Sequence, residues 1–237
     1  IWLVVALTVL KMKGYLAVVT SMCLAVILAL FAFKMPFLDC FTAMIEGAAF
    51  GLWPIILVII AAMFCYNLTV KTGAMEVIKQ MITSVSPDKR VLILLIGWCF
   101  GGFMEAMAGF GTAIAIPASM LVGLGFGPIT AAVACMLANS VPTVFGSIGI
   151  PTVTLAKVAE VAPDMLSAYT VLQLAPWFII VPFLMVAVCG GGAKAIKGVF
   201  PITLVAGLSF VVPMYFVGRF LGPELTDVIG SICSLIC

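Results

Sequence analysis

Residues 55–62 read Ile55-Ile56-Leu57-Val58-Ile59-Ile60-Ala61-Ala62, an apolar run without a single polar break. A strand of a membrane β-barrel alternates apolar and polar side chains, so this run contradicts a barrel. In a helix it produces an apolar surface on every side, the mark of a buried or lipid-facing segment. The run widens to Phe50–Tyr66, and others of similar character cover Gly14 to Phe33, Val91 to Phe103 and Ala175 to Cys189. About 20 such residues span a bilayer core as a helix. The 237 residues are 65% hydrophobic and 8% charged, against roughly 25% charged in a soluble domain. The fold class is therefore an all-α polytopic membrane protein, a transmembrane helix bundle read as one domain over residues 1–237. The chain opens at Ile1 in one apolar run and ends at Cys237 in another, which points to a domain truncated at both ends.

The same composition excludes several chemistries. There are eight cysteines and no histidine; Cys23, Cys65, Cys99, Cys135 and Cys189 sit inside apolar runs, and no CxxC occurs. These thiols read as small apolar fillers of helices, and no metal centre or cofactor is expected. Trp53 and Trp98 read as interfacial or packing residues. A net charge of +2 spread over loops offers no basic patch for nucleic acid.

Basic residues concentrate on the cytoplasmic side of membrane proteins. Placing the Lys11-Met12-Lys13 loop inside puts Lys71, Lys79, Lys89, Arg90, Lys194 and Lys197 inside as well, which is eight of the eleven basic residues. Glu160 and Asp164 then lie outside. Over 72–85 the apolar residues Met75, Ile78, Met81, Ile82 and Val85 recur at helical spacing, opposite Glu76, Lys79, Gln80 and Thr83. That segment is expected as an amphipathic helix on the cytoplasmic surface. The chain must next cross an odd number of times between Arg90 and Glu160. Three short spans satisfy this; so does a re-entrant hairpin over 91–125 followed by a broken transmembrane helix over 128–160.

The breakers favour irregular segments. Gly97, Gly101, Gly102, Gly109, Gly111, Gly123, Gly125 and Gly127 cluster here, with Pro117, Pro128, Pro142 and Pro151. Non-helical backbone at membrane depth is tolerated only where protein buries it or it lines a cavity. Within this region Glu105 is read as the one acid far from any loop, without a lysine or arginine within thirteen residues. An intramembrane acid is a functional candidate by default, and Glu105 is assigned to proton coupling; the alternative is a carboxyl that merely braces neighbouring helices. In a continuous helix Gly109 and Thr112 share the face of Glu105 at i+4 and i+7. A second interrupted stretch runs from Asn139 to Pro151. It echoes the first: Phe110-Gly111-Thr112 leads to Ile116-Pro117, and Phe145-Gly146-Ser147 leads to Ile150-Pro151. Broken helices form midplane sites in secondary transporters, where helix ends hold anions and freed carbonyls hold coupling ions. Gly109, Gly111, Thr112, Asn139, Ser140, Thr143, Ser147 and Gln173 are the candidate substrate-binding residues.

At these residues the chain resembles the bacterial L-lactate permease family. The resemblance is carried by Gly51-Leu52-Trp53-Pro54-Ile55, Tyr66 to Gly73, Glu105 with Ala108-Gly109-Phe110-Gly111, Leu121 to Phe126, Phe145-Gly146 with Gly149-Ile150-Pro151, and Gly222-Pro223-Glu224-Leu225. It implies a proton-coupled symporter of L-lactate, and in some members glycolate or D-lactate, in the cytoplasmic membrane. It further implies that this chain matches the N-terminal half of a transporter built on inverted repeats with re-entrant hairpins. Two departures stand out. Ala106 and Ala113 replace a glycine and a proline of the usual pattern and Met107 adds bulk, and Thr170 and Leu172 stand near Gln173 where an arginine is usual.

The expected function is thus inward symport of a small monocarboxylate with a proton. The implied partners are that substrate, the proton and the lipid bilayer, with homo-oligomerisation left open. A channel wants a polar or charged ring along several helices, and the spans offer few such side chains. An intramembrane enzyme wants a catalytic pair, and no base stands near the serines and threonines. A transporter of another organic anion and an incomplete, inactive fragment are the remaining alternatives.

Overall fold

The computed structural model describes residues 2–109 and 111–237, all of whose regular elements are helical. Phe110, part of the first Phe-Gly echo, lies outside the described residues, as do the side chains of Lys79, Ile82 and Thr83. The chain divides into two compact units, Ile1–Val58 and Ile59–Cys237.

The first unit holds α1 (Trp2–Thr8), α2 (Gly14–Phe31) and α3 (Phe37–Phe50), followed by a π-helical turn, Gly51–Ile56, kinked at Trp53. Trp2 Nε1 donates to Thr20 Oγ1 at 3.2 Å, tying α1 to α2. In α2 only Ala17 is buried, so an apolar 18-residue helix keeps almost its whole surface for lipid or other protein.

The helix α4 (Leu57–Lys71), all but its first two residues in the second unit, runs into α5 (Ala74–Val85) across the left-handed Gly73, φ +77°. The amphipathic segment is thus a helix, and Met75 and Ile78 of its apolar face pack onto a core cluster while Met81 and Val85 stay exposed. Asp88 then caps the next helix, accepting from Arg90 N at 2.8 Å. That helix, Lys89–Met107, joins α6 (Lys89–Ile93), a π-helical stretch Leu94–Phe100 and α7 (Gly101–Met107). Of its apolar window 61% is buried, against 33% for each of the two long helices that follow, so it is the central element of the unit. After a turn come α8 (Thr112–Gly123) and α9 (Pro128–Asn139), then a 3-10 turn Pro142–Phe145 and α10 (Gly146–Ala159). The chain bends by 54° between α9 and the segment Pro142–Ala159. The long α11 (Pro163–Cys189) and α12 (Phe200–Phe220) pack on each other, and α12 packs on α13 (Thr226–Ile236).

Among the described residues two large apolar clusters hold this unit, with a third, small one at Leu94, Val186 and Val199. One is centred on Trp98, Phe178 and Phe210, whose rings meet at centroid distances of 5.2–5.9 Å. The buried indole of Trp98 donates to Ala206 O at 3.3 Å, which makes Trp98 a core residue and removes it from the interfacial class. The other cluster joins Ile93 and Ile96 to Ile116, Met120 and Leu121 of α8 and Ala131, Ala134 and Cys135 of α9. Leu172, Trp177, Ile180, Leu184, Val205, Val212 and Phe216 stay exposed on α11 and α12, an apolar jacket that lipid covers in a membrane. Among the described residues four helices are long and apolar enough to cross, or five if the bent pair counts as one span. The chain is a multi-pass, all-α membrane protein.

Candidate functional site

Two helix breaks meet around Glu105. The first follows α7. Ala108 ends the helix, and Gly109 and Gly111 take left-handed backbone at φ +57° and +89°, a region glycine enters without steric cost. Thr112 therefore opens a new helix. The continuous-helix spacing that placed Gly109 and Thr112 on the face of Glu105 does not hold, because the chain reverses between them. Thr112 is buried and its Oγ1 donates to Gly109 O at 2.7 Å, closing the turn.

The second break is at the start of α10. Ser147, Ile148 and Gly149 are consecutively left-handed, at φ +50°, +59° and +72°. Left-handed backbone costs an L-residue roughly 1–2 kcal/mol, and a β-branched side chain there is a conformational outlier. The turn is held by neighbours. Thr152 Oγ1 reaches back across it to Val144 O at 2.7 Å, and Ser147 Oγ donates to Ala108 O at 3.0 Å, joining the second break to the first.

Close approach needs glycine at both contacts. A Cβ on Gly109 would run into Ser147 Oγ, and one on Gly146 would run into Glu105 Oε1 and stand 3.1 Å from its Cδ. On the far side Gly149 lies against the corner between α12 and α13, where a Cβ would be 2.6 Å from Pro223 O. Glu105 is 3% exposed, and its Oε2 has no hydrogen-bond partner. The Asn139 side chain comes within its reach from the end of α9.

The candidate residues thus fall into two groups. Glu105, Gly109, Thr112, Asn139 and Ser147 come together. Thr143 donates to Asn139 O and accepts from Asn139 Nδ2 at 3.2 Å, so it supports that corner while itself exposed. Ser140 is exposed and its hydroxyl is spent on Leu137 O at 2.6 Å. Gly111 is exposed with nothing within 4 Å of a Cβ position. Gln173 is exposed on α11, and among the described residues no hydrogen bond joins it to the group.

The sequence profile of the L-lactate permease family matches residues 1–237. The chain belongs to the L-lactate permease family. It is 46% identical over its whole length to an L-lactate permease of Streptococcus iniae, covering 50% of that protein. It is 41% identical to a glycolate permease of Escherichia coli (strain K12), with all of this chain and 42% of the relative aligned. An L-lactate permease of the same strain is 41% identical over 98% of this chain and 42% of its own length. The chain thus spans about half the length of these curated relatives, which are permeases and not enzymes. No solved structure matches it.

Two features of this family member differ from what its sequence suggests. Met107, the bulky residue of this segment, is 46% exposed, so it leaves the contact between Glu105 and Gly146 free. The second is a correction, because Glu105 is not the only deep acid. Asp227 is 1% exposed, and neither of its carboxylate oxygens has a partner. It follows Gly222-Pro223-Glu224-Leu225, which reads as a loop, and so counts as a loop residue by sequence. The available signal was the stripe Asp227, Ser231 and Ser234, spaced at i, i+4 and i+7 on one helix face. All three are buried.

Proposed function

We propose that the chain is part of a secondary active transporter that carries a small monocarboxylate inward across the cytoplasmic membrane together with a proton. L-lactate is the first candidate, with glycolate and D-lactate as relatives of the same size and charge. The observation that supports this reading is the buried Glu105, with an unpartnered oxygen, held at the meeting of two helix breaks in a chain of the L-lactate permease family. A protonated Glu105 lowers the cost of burying an anion beside it. The substrate carboxylate is held by helix ends with Ser147 and Asn139, and access alternates about the broken segments. In this reading residues 91–125 form a re-entrant hairpin, 128–160 a broken span, and the chain one half of an inverted repeat.

Uptake of labelled L-lactate by the full-length parent in vesicles tests the proposal, with and without an inward proton gradient and with glycolate, pyruvate and acetate as competitors. Saturable uptake that follows the proton gradient is expected. Uptake that ignores the gradient, or does not saturate, refutes it. The likeness to a glycolate permease makes glycolate the strongest expected competitor.

A further inference from the structure

Asp227 has no task in the function proposed above. An aspartate in the first turn of a helix is stabilised when its oxygens accept backbone N–H groups or face the positive helix end. Here neither oxygen accepts any bond. A packing role is better served by an uncharged side chain, which avoids the cost of desolvating a carboxylate.

Its neighbours show what it faces. The central helix and α13 run antiparallel, and their contacts repeat once per turn. Cys99 Sγ lies 3.2 Å from Ser234 Oγ. One turn on, the Cβ position of Gly102 lies 3.7 Å from Ser231 Cβ. The next turn of this register brings Glu105, three residues beyond Gly102, to the level of Asp227, four residues before Ser231, where α7 packs against α13. Asn139 Oδ1, in reach of Glu105 through its own side chain, is likewise without a partner. Glu105 Oε2, Asp227 Oδ1 and Oδ2 and Asn139 Oδ1 are thus buried acceptors without a donor.

Such a cluster repels a substrate carboxylate and attracts a positive ion. Few charged or titratable groups sit on the elements packed around it. These are Cys99 on the π-helical stretch, Cys135 on α9, Lys157 on α10, Tyr215 and Arg219 on α12, Glu224 at the corner, and Cys233 with Cys237 at the end of the chain. Lys157 is exposed, and Arg219 is engaged with Asp164 at 3.2 Å. A proton is the smallest cation that answers the need. It turns one carboxylate into an O–H donor for the other, and paired carboxylates sharing a site hold a proton that neither would keep alone.

We propose that Glu105 and Asp227 form one proton-loading pair, with Asp227 as a second coupling carboxylate, and that loading this pair lets an anionic substrate sit at the adjoining 146–149 break. The inference rests on the proton-coupled reading above. The proton enters from the aqueous side, forms an O–H bond on one carboxylate, is shared with the other and leaves to the opposite side. No other bond changes.

The test uses the full-length parent in proteoliposomes. The apparent affinity for labelled L-lactate is measured from about pH 5 to about pH 8 at fixed sodium, for the parent, Glu105→Gln, Asp227→Asn and Asp227→Glu. The parent is expected to lose affinity by about ten-fold per pH unit above the loading range. Asp227→Asn should flatten that slope by about three-fold or more, while lactate exchange persists at a reduced rate. Asp227→Glu should keep the slope and move its midpoint by about half a pH unit or more. A purely structural Asp227 lowers uptake equally at every pH, and an unchanged profile in Asp227→Asn overturns the proposal. Where Asp227→Asn does not accumulate, Asp227→Glu decides, and an unmoved midpoint overturns it. Dependence on sodium in place of protons also overturns it. A parent that shows no pH dependence refutes the proposed function itself, and this outcome is distinguishable because it is read without any variant.

Discussion

Replacing Gly146 by alanine isolates the contact between the second break and Glu105. Gly146 has φ −60° and ψ 159°, which alanine adopts freely, so no backbone strain enters. The new methyl would overlap Glu105 Oε1 and approach its Cδ to 3.1 Å and Cγ to 3.4 Å. Glu105 has little room to retreat, because its helix packs through Gly102 onto Phe210 and Ser231. Overfilling a packed site costs about 1–3 kcal/mol, which is roughly 5-fold to 150-fold in the folding equilibrium. Thermal unfolding of the purified full-length parent in detergent measures the loss, with Gly146→Ala made alone and in a Glu105→Ala background. Truncating the glutamate removes the obstacle, so the double variant should recover about 1 kcal/mol or more as coupling. A Gly146→Ala cost that is the same within about 0.5 kcal/mol in both backgrounds would refute the proximity of these two residues.

Other expectations concern the strained turn, the core and the helix cap. Ile148 is left-handed at φ +59° and 49% exposed, so Ile148→Gly should raise thermal stability by about 1 kcal/mol by relieving strain at little packing loss; a destabilised variant contradicts the left-handed turn. Phe210→Ala empties the centre of the aromatic cluster and should cost about 3–5 kcal/mol, read as greatly reduced accumulation and a lower melting temperature. At Asp88, the hydrogen bonds from the Arg90 side chain and backbone hold the carboxyl below its ordinary value of 3.8. Because the folded value is the lower one, this contribution is complete above the ordinary carboxylate range and fades as pH falls through the folded value. Acid unfolding of Asp88→Asn should lack that component. The effect is small, since the pair is about a third exposed.

The membrane class was legible because continuous apolar runs such as Ile55–Ala62 admit few other solvents. The amphipathic spacing from Met75 to Val85 likewise marked a helix, although its partner was hidden, since Met75 and Ile78 pack on residues 15 or more positions away in the chain. Glu105 stood out by its isolation from basic residues. What the sequence hid was geometry set by distant contacts. Gly109 and Gly111 reverse the chain, and helical spacing gives no warning of that. Asp227 looks like a loop acid until α7 packs against α13. Gln173 looked polar enough to bind a substrate, yet its exposure depends on which face of α11 packs inward, and an apolar helix with almost no amphipathic asymmetry does not specify that face.

The π-helical stretch Leu94–Phe100 has a consequence for the whole central helix. A π turn takes up more residues than an α turn, so it works as an adjustable phase between the two ends. Regularising it into α-helix with every residue kept would turn everything beyond it by about 100°. Glu105 would then face away from Asp227 while Lys89 kept its place beside Phe126, where its ammonium now lies 5.6 Å from the ring centre. The orientation of the buried carboxylate is thus set two turns upstream, by the winding of a stretch that carries no charge.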